Sequence, residues 1–455
     1  MSFVGLYSGL SGIRAAQTGV DVASHNVANA NTSGYTRQRV DLTPRPTYDA
    51  PAGRVGTGVE VEAITRLRDQ FLDARYRDAI GEGEHAAVRG DLLGRLEQLA
   101  SEPEEGVTAR LGALWDAVET WANDPDDSVS RRQVLNGLAS LTDTIRRTAG
   151  AWDSLAADAD ERRDAVATEV SGALEALADL DARIANADPS RVGADLHDER
   201  DRLLDDLAEL TGADARIADD GRSRVRLGGV DLVTADGVAT VAISGDDVVV
   251  TDTAGDTHTV EAGGAIGGLH TFLHDDLPRF RTALDDVAES LTAEVNTVNT
   301  LEGYAAEDPD ATLLTFDGGD AAGSLEVTTA DPAALNASVD GPDGEPHDAS
   351  NAERLASLRF SSVIDPDAPA LDERVDDVVV DLAAEVRAAR MHADAAGGVA
   401  SGADLARAAE HGVSIDEEMV DLVRYQRAME SASRVMTTVD EMLDVLVNRT
   451  GVVGR

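Results

Sequence analysis

The stretch Ile415–Leu446, IDEEMVDLVRYQRAMESASRVMTTVDEMLDVL, decides how this chain is read. Ile415, Met419, Leu422, Gln426, Met429, Ser433 and Met436 advance by alternating steps of four and three, and Val439, Leu443 and Leu446 follow after one extra step of three. Such spacing lays an apolar seam along one helix face, with a local shift at the extra step. The opening of the chain repeats the device: Phe3, Leu6, Leu10, Ile13, Gln17, Val20, Ser24 and Val27 step by three and four in turn. Two seams at opposite ends of one chain each need a partner, and the nearest partner is the other seam. Small residues (Gly5, Gly9, Gly12, Ala15, Ala16, Ala23) cover the rest of the first helix and invite further helices to pack closely. The paired termini are therefore expected to form an assembly element rather than the lid of an ordinary bundle.

Composition sets the frame around these ends. At 455 residues the chain can hold two to four domains with cores of their own. Aromatic residues make up only 3%, so cores must be built from Ala, Leu and Val, which suits helices better than a deep cofactor pocket. With no cysteine, disulfides, thiolate catalysis and Cys-ligated metal sites are excluded. The formal net charge is −47 and every one of the 39 basic residues is arginine. A field of that sign repels phosphate, which speaks against nucleic-acid partners and anionic membranes. The charge is unevenly spread. Residues 1–78 carry 8 acidic and 9 basic side chains, and residues 413–455 carry 8 and 5. Nearly all the excess thus lies on the middle, as expected if the ends are buried among neighbouring subunits while the middle faces water. There is no basic, then apolar, leader pattern and no run long enough to span a bilayer, so neither a cleaved signal nor membrane insertion is expected.

Between the ends, period and punctuation divide the chain. Residues 1–32 and 413–455 form the two halves of a terminal coiled-coil domain. Residues 33–212 form the first part of a helical bundle, opened by a hairpin of Thr36–Thr43 with Val59–Ile64. Gly53, Gly56 and Gly58 fall in the hairpin connection, without the strand-then-helix context of a phosphate cradle. Helices follow near 67–100, 107–123, 128–187 and 195–211, with a cap expected at Ser128–Arg131. At 213–263 the period becomes two, with short strands parted by Asp-Gly and Gly-Asp turns, which predicts a small antiparallel β insertion. Residues 264–302 return to the bundle as a helix. A Gly/Asp-rich, partly β insertion spans 303–347, and bundle helices resume over 348–412, at 349–359, 371–396 and 402–411. The fold class expected is α+β, mainly α: terminal coiled-coil helices and an elongated helical bundle with inserted small antiparallel β domains.

Catalytic chemistry was sought and carries little weight. His270 and His274 are four apart on a helix, as in a zinc pair, but Thr271 follows the first where a zinc protease has Glu, and no third ligand is evident. The other histidines lack a Ser or carboxylate partner at a recognisable spacing. Asp126–Asp127, Asp219–Asp220 and Asp275–Asp276 are pairs that 86 acidic residues supply by chance. The Asp317–Asp320 and Asp340–Gly344 turns do not fit a calcium loop. The expectation is no enzyme, cofactor or metal.

The ends also resemble a known family. Ser11-Gly-Ile-Arg-Ala-Ala-Gln17 and Asn26-Val-Ala-Asn29-Ala-Asn31-Thr32-Ser-Gly34-Tyr35-Thr-Arg37-Gln38 are similar to the N-terminal signature of the bacterial flagellar axial proteins (rod, hook and hook-associated proteins). Val413–Met419, Tyr425–Ala428 and Thr438–Leu443 are similar to the C-terminal one, and Gly34–Gln38 with Thr438–Leu443 most resemble the subtype at the hook–filament junction. Asp195–Leu204 and Ala293–Asn299 resemble helices flanking that subtype's β insertion. The resemblance implies a structural subunit of the hook–filament junction on which the filament is assembled. It implies a coiled-coil domain lining a tube, a helical domain outside it and β domains outermost, the outermost here reduced or absent because the β portion is short. It further implies uncleaved export by the flagellar type III apparatus to an extracellular site. Implied partners are neighbouring copies in a ring, hook protein below, the next hook-associated junction protein above, and an export chaperone on the C-terminal helix. Family-motif residues would be Asn29, Asn31, Thr32, Gly34, Tyr35 and Arg37. Unpartnered seams imply that the ends are disordered until they dock, with Met419, Leu422, Met429 and Met436 offering the chaperone an adaptable surface. Another axial subunit (hook or rod protein) and a peptidoglycan-acting enzyme on axial-type termini are the alternatives. The long helical stretch 67–211 opposes the first, and the lack of a nucleophile, metal cluster or paired-acid cleft opposes the second.

Overall fold

The computed structural model describes residues 4–32, 34–50, 53–100, 106–187, 193–218, 220–234, 237–300, 312–339 and 347–449. Phe3, Asp219 and the Asp340–Gly344 turn lie outside these residues. The first helix, α1 (Val4–Asn29), leads into a ribbon in which β1 (Gln38–Pro44) pairs antiparallel with β4 (Val59–Arg66). A smaller hairpin of β2 (Tyr48–Ala50) and β3 (Gly53–Val55) extends the ribbon. Val40, buried on one face of β1, belongs to the contact between the ribbon and α1, while Leu42 and Ile64 remain exposed.

The bundle follows: α2 (Gln70–Ala100), α3 (Val107–Asn123), α4 (Ser128–Asn186) and α5 (Ala194–Thr211). Its core is aliphatic with three tryptophans, Trp115, Trp121 and Trp152, each about 1% exposed. Each indole N–H has an acceptor: Asp372 Oδ1 at 2.6 Å, Pro125 O at 3.3 Å and Leu96 O at 3.2 Å. Buried indoles would otherwise leave an unmet donor. The cap of α4 is Asp127, whose carboxylate accepts from Val129 N and Ser130 N; it precedes the expected Ser128–Arg131 region by one residue. A carboxylate outbids a serine hydroxyl there because it also faces the positive end of the helix dipole. Helix α5 ends on Gly212, whose φ of +65° is a left-handed cap that glycine adopts at least cost.

From Asp214 to Thr259 the chain forms β5–β12, as two three-stranded meanders (β5-β6-β7 and β10-β11-β12) and a short β8-β9 pair. They dock on α4, where Ser171 Oγ donates to Val241 O at 3.2 Å. The return helix is α6 (Gly264–Thr271), one π turn (Phe272–Asp276) and α7 (Leu277–Thr300). The strand pair β13 (Leu314–Thr315) and β14 (Glu326–Val327), with α8 (Ala321–Ser324) between them, precedes α9 (Ser350–Ser357).

Then comes α10 (Leu371–His411), unbroken over 41 residues. Two helices, 371–396 and 402–411, were expected here, because Gly397, Gly398 and Gly402 should weaken the helix by about 1 kcal/mol each. Packing overrides that cost. Helix α10 lies along α2, with Gly83 and Gly90 of α2 set against the Ala396–Ala400 and Ala389–Ala393 backbone and methyls. The chain closes with α11 (Ile415–Asp444) and a π turn (Val445–Arg449). Ser414 caps α11 by accepting from Glu417 N, as its Ser-x-x-Glu sequence predicts.

Candidate assembly interface

The two terminal helices pack along each other, but not by the expected faces. Helix α1 turns its glycines to α11. A Cβ built on Gly5 would lie 3.1 Å from Val439 Cγ2, on Gly9 2.7 Å from Met436 Cγ, on Gly12 3.3 Å from Ala432 Cβ, and on Gly19 2.5 Å from the Tyr425 ring. Ala15, Ala16, Val22 and Ala23 complete the buried side. The large seam residues Leu6, Leu10, Ile13, Val20 and Val27 are half-buried and Gln17 is exposed. At 100° per residue the seam lies ~100° around α1 from the glycine face. The glycine face, expected to receive further helices, thus makes the close approach to α11 within the chain. Glycine wins the intramolecular contact because it lets two backbones approach closely and gain dispersion along their whole length.

On α11, Leu422, Met429, Met436, Val439 and Leu443 are half-buried, Met436 and Val439 against the glycines of α1. Ile415 and Met419 are half-exposed, and Gln426 and Leu446 also face outward. Hence part of the predicted C-terminal seam meets α1 and part of it does not.

A polar clasp fixes the register of the pair. Glu418 is the one buried residue of α11, at 2% exposure. Its carboxylate accepts from Arg37 Nε at 2.7 Å and from Asn26 Nδ2 at 3.0 Å. Asn26, equally buried in α1, also donates to Gln38 O and accepts from Gln38 N and from the Tyr35 hydroxyl at 2.7 Å. Arg37 reaches Glu417 as well, at 2.7 Å. Burial lowers the affinity of Arg37 for its proton, but Glu418 and Glu417 outweigh that and hold the guanidinium charged. Burial, then the carboxylates Asp198, Asp195 and Glu418, push the Tyr35 phenol far above its usual range, so it stays a hydrogen-bond donor.

The turn carrying Tyr35 is built by the motif residues before it. Asn29 Nδ2 donates to His25 O and its Oδ1 accepts from Thr32 Oγ1, while Asn31 lies exposed. Gly34 holds φ at +74°, and a Cβ there would lie 2.6 Å from Arg202 Cδ, so both backbone and neighbour demand glycine.

Below the clasp, charges join the ribbon to the bundle and the bundle helices α2, α5 and α10 to one another. Arg66 contacts Asp198 and Asp201 at 2.6 Å each, and Arg68 contacts Asp201 at 2.7 Å and Asp73 at 2.6 Å. Arg77 and Arg407 share Asp205, at 2.7 and 2.6 Å. Burial works against ionised Asp201, yet Arg68 and Arg66 keep its carboxyl below the usual range. Four arginines and four aspartates thus cancel inside the joint. His411, the last residue of α10, accepts from Asp69 N at 2.7 Å through Nε2 and offers its carbonyl to Arg37 N. Sequence reading missed Glu418 and Asn26 because single polar residues leave no periodic trace. The signal that was available is the acidic pair directly behind the Ser414 cap.

Elsewhere, the rings of His270 and His274 lie 4.6 Å apart, tilted by 42°, with Arg163 2.7 Å from His274 Nε2. No group of three or more His, Cys, Asp or Glu among the described residues could hold a metal ion. No described helix is long and apolar enough to cross a membrane.

The family model of the flagellar hook-associated protein FlgK helical domain matches residues 93–312. The flagella basal body rod protein model matches residues 6–36, and that of the flagellar basal body rod FlgEFG protein C-terminal region matches 410–449. The chain is 24% identical over 511 residues to flagellar hook-associated protein 1 of Bacillus subtilis, spanning all of this chain and 99% of that protein. Against flagellar hook-associated protein 1 of Salmonella typhimurium it is 25% identical over 317 residues, 66% of this chain but only 56% of the relative's length. In fold it is similar to the flagellar hook junction protein FlgK from Burkholderia pseudomallei, with a TM-score of 0.64 at 13% identity, covering 75% of this chain and all of that one.

Proposed function

We propose that the chain is a member of the family of flagellar hook-associated protein 1 and a structural subunit of the hook–filament junction, on which the filament is assembled; the helical-domain match over residues 93–312 and the relative aligned along the whole chain at 24% identity support this reading. The observation that carries this reading is the terminal pair, glycine-packed within the chain, with large apolar residues left exposed along α11 and only half-buried on α1. A finished domain would not leave Ile415, Met419, Val420 and Val423 exposed on one helix end; a subunit whose wall is completed by its neighbours would. The assembly interface we propose comprises Phe3, Leu6, Leu10, Ile13, Gln17, Val20 and Val27 with Ile415, Met419, Leu422, Gln426, Met429, Met436, Val439, Leu443 and Leu446.

The family is one of structural flagellar components and not an enzyme family. Among axial subunits, the helical-domain match over 93–312 favours the junction over the hook. The hook protein of Borreliella burgdorferi matches at 38% identity but over only 14% of this chain. The partners that fit are further copies closing a ring, hook protein, the next hook-associated junction protein, and an export chaperone covering α11. Uncleaved type III export to the extracellular flagellum is part of the same proposal.

The test is genetic and biochemical. Deleting the gene should leave hooks that shed flagellin into the medium, and the purified chain should cap isolated hooks. Hooks that still carry filaments in the deletion strain would overturn the reading.

A further inference from the structure

Helix α10 is apolar on two sides. One side, with Leu382, Val386, Ala389, Ala396 and Ala403, is buried in the bundle, largely against α2. On the far side, Val380, Ala384, Ala388, Met391, Ala395, Gly398, Gly402, Leu405 and Ala409 recur by steps of four and three, and every one is exposed. Val380, Met391 and Leu405 are 64%, 62% and 70% exposed. In a chain in which 27% of residues are charged, this row carries no charge across nine successive seam positions. Nothing stands within 4 Å of a Cβ built on Gly398 or Gly402, so a second backbone could come close there. A seam of this spacing is what a helix presents to another helix.

We propose that the outer face of α10 is a docking surface for a helix of a second copy of this chain. Its setting rests on the junction reading above. Among the described residues no segment covers the face. It runs 30 residues, ~45 Å at 1.5 Å per residue, whereas the longest internal segment outside the described residues is 301–311, Leu-Glu-Gly-Tyr-Ala-Ala-Glu-Asp-Pro-Asp-Ala, too short and too acidic. In sequence the row is followed closely by exposed apolar residues of the terminal pair: three residues, 412–414, separate α10 from the start of α11 with its exposed Ile415, Met419 and Val423. A copy seated on the start of α11 therefore lies next to the end of this row. A bilayer fits poorly, since alanine and glycine offer little area to lipid and the chain's charge opposes an anionic surface.

Because the chain lacks cysteine, a single Ala395→Cys carries a benzophenone label cleanly, with Ala157→Cys on the exposed side of α4 as control. Irradiating the full-length chain at high concentration should link it to another copy from position 395 at least tenfold more than from position 157. Ala395→Glu should cut self-association at least tenfold while leaving the thermal midpoint of the dilute chain unchanged. Equal crosslinking from both positions, or self-association untouched by Ala395→Glu, would overturn the proposal. Capping of isolated hooks by the wild-type chain is scored separately, so its failure counts against the junction reading alone.

Discussion

Helix α2 and helix α11 are nearly equal in length, 31 and 30 residues, yet α2 buries eleven of its residues and α11 buries one. Helix α2 is wedged among α5, α6 and α10, whereas α11 has α1 along one side and open space elsewhere. The bundle has a well-buried core within a single chain. The terminal pair is held in register by a polar clasp and leaves large apolar residues of α11 exposed, which is the basis for proposing it as half of an interface. A helix that must later pack against neighbours cannot spend that surface on its own fold.

This contrast can be broken at several strengths. The largest effect should come from the bundle. Trp152→Ala removes a side chain about 1% exposed and should cost ~3–5 kcal/mol of global stability, read by urea unfolding. A loss under 1 kcal/mol would mean the bundle is not the stable unit. Next is Glu418→Ala, which strands Arg37 and Asn26; since Arg37 is a fifth exposed, a local cost of ~2 kcal/mol is expected, below that of a fully buried pair. Hydrogen exchange across α11 should quicken while the urea midpoint of the bundle stays put; a shared shift would show that the two regions unfold as one. Gly19→Ala should loosen the same helix pair by ~1–2 kcal/mol, because the new methyl meets the Tyr425 ring. Unchanged exchange at α11 would show that the ring simply swings aside.

The smallest effect is pH-dependent and sits at the joint between the two regions. Burial holds the His411 imidazole below its ordinary value, with Arg68 and Arg407 adding to the shift and Asp73 and Glu410 opposing it. The neutral ring is therefore the native form, and its contribution is present above the ordinary histidine range near 6.5 and lost as pH falls below it. Protonation removes the acceptor for Asp69 N. Protection of that amide, corrected for intrinsic exchange, should drop between pH 7 and pH 5, and a His411→Gln variant should show no such drop.

Much of this could be read before the structure. The helices at 107–123 and 128–187 and the β insertion followed from period and turn residues, since large apolar side chains repeat there at one spacing. The hidden parts share a cause. The glycine face of α1 and the Ala/Gly seam of α10 carry little hydropathy per residue, so reading by size chose Leu6, Leu10 and Ile13 as the intramolecular contact. Gly397 and Gly398 read as a helix break because propensity is local, while the packing of α10 on α2 is not. Glu418 was invisible because its importance comes from Asn26 and Arg37, 392 and 381 positions away.

The π turn at Phe272–Asp276 has its own consequence. Along the helix through α6 and α7 the inward residues Ile266, Leu269, Phe272, Leu277, Phe280 and Leu284 advance by three or four except for the single step of five across that turn. The wider loop absorbs a supernumerary residue, so both halves still address the core, and Asp276 still meets Arg89 at 2.7 Å. Deleting one residue at this spot should therefore remove the swelling and leave both halves of the helix facing the core as before.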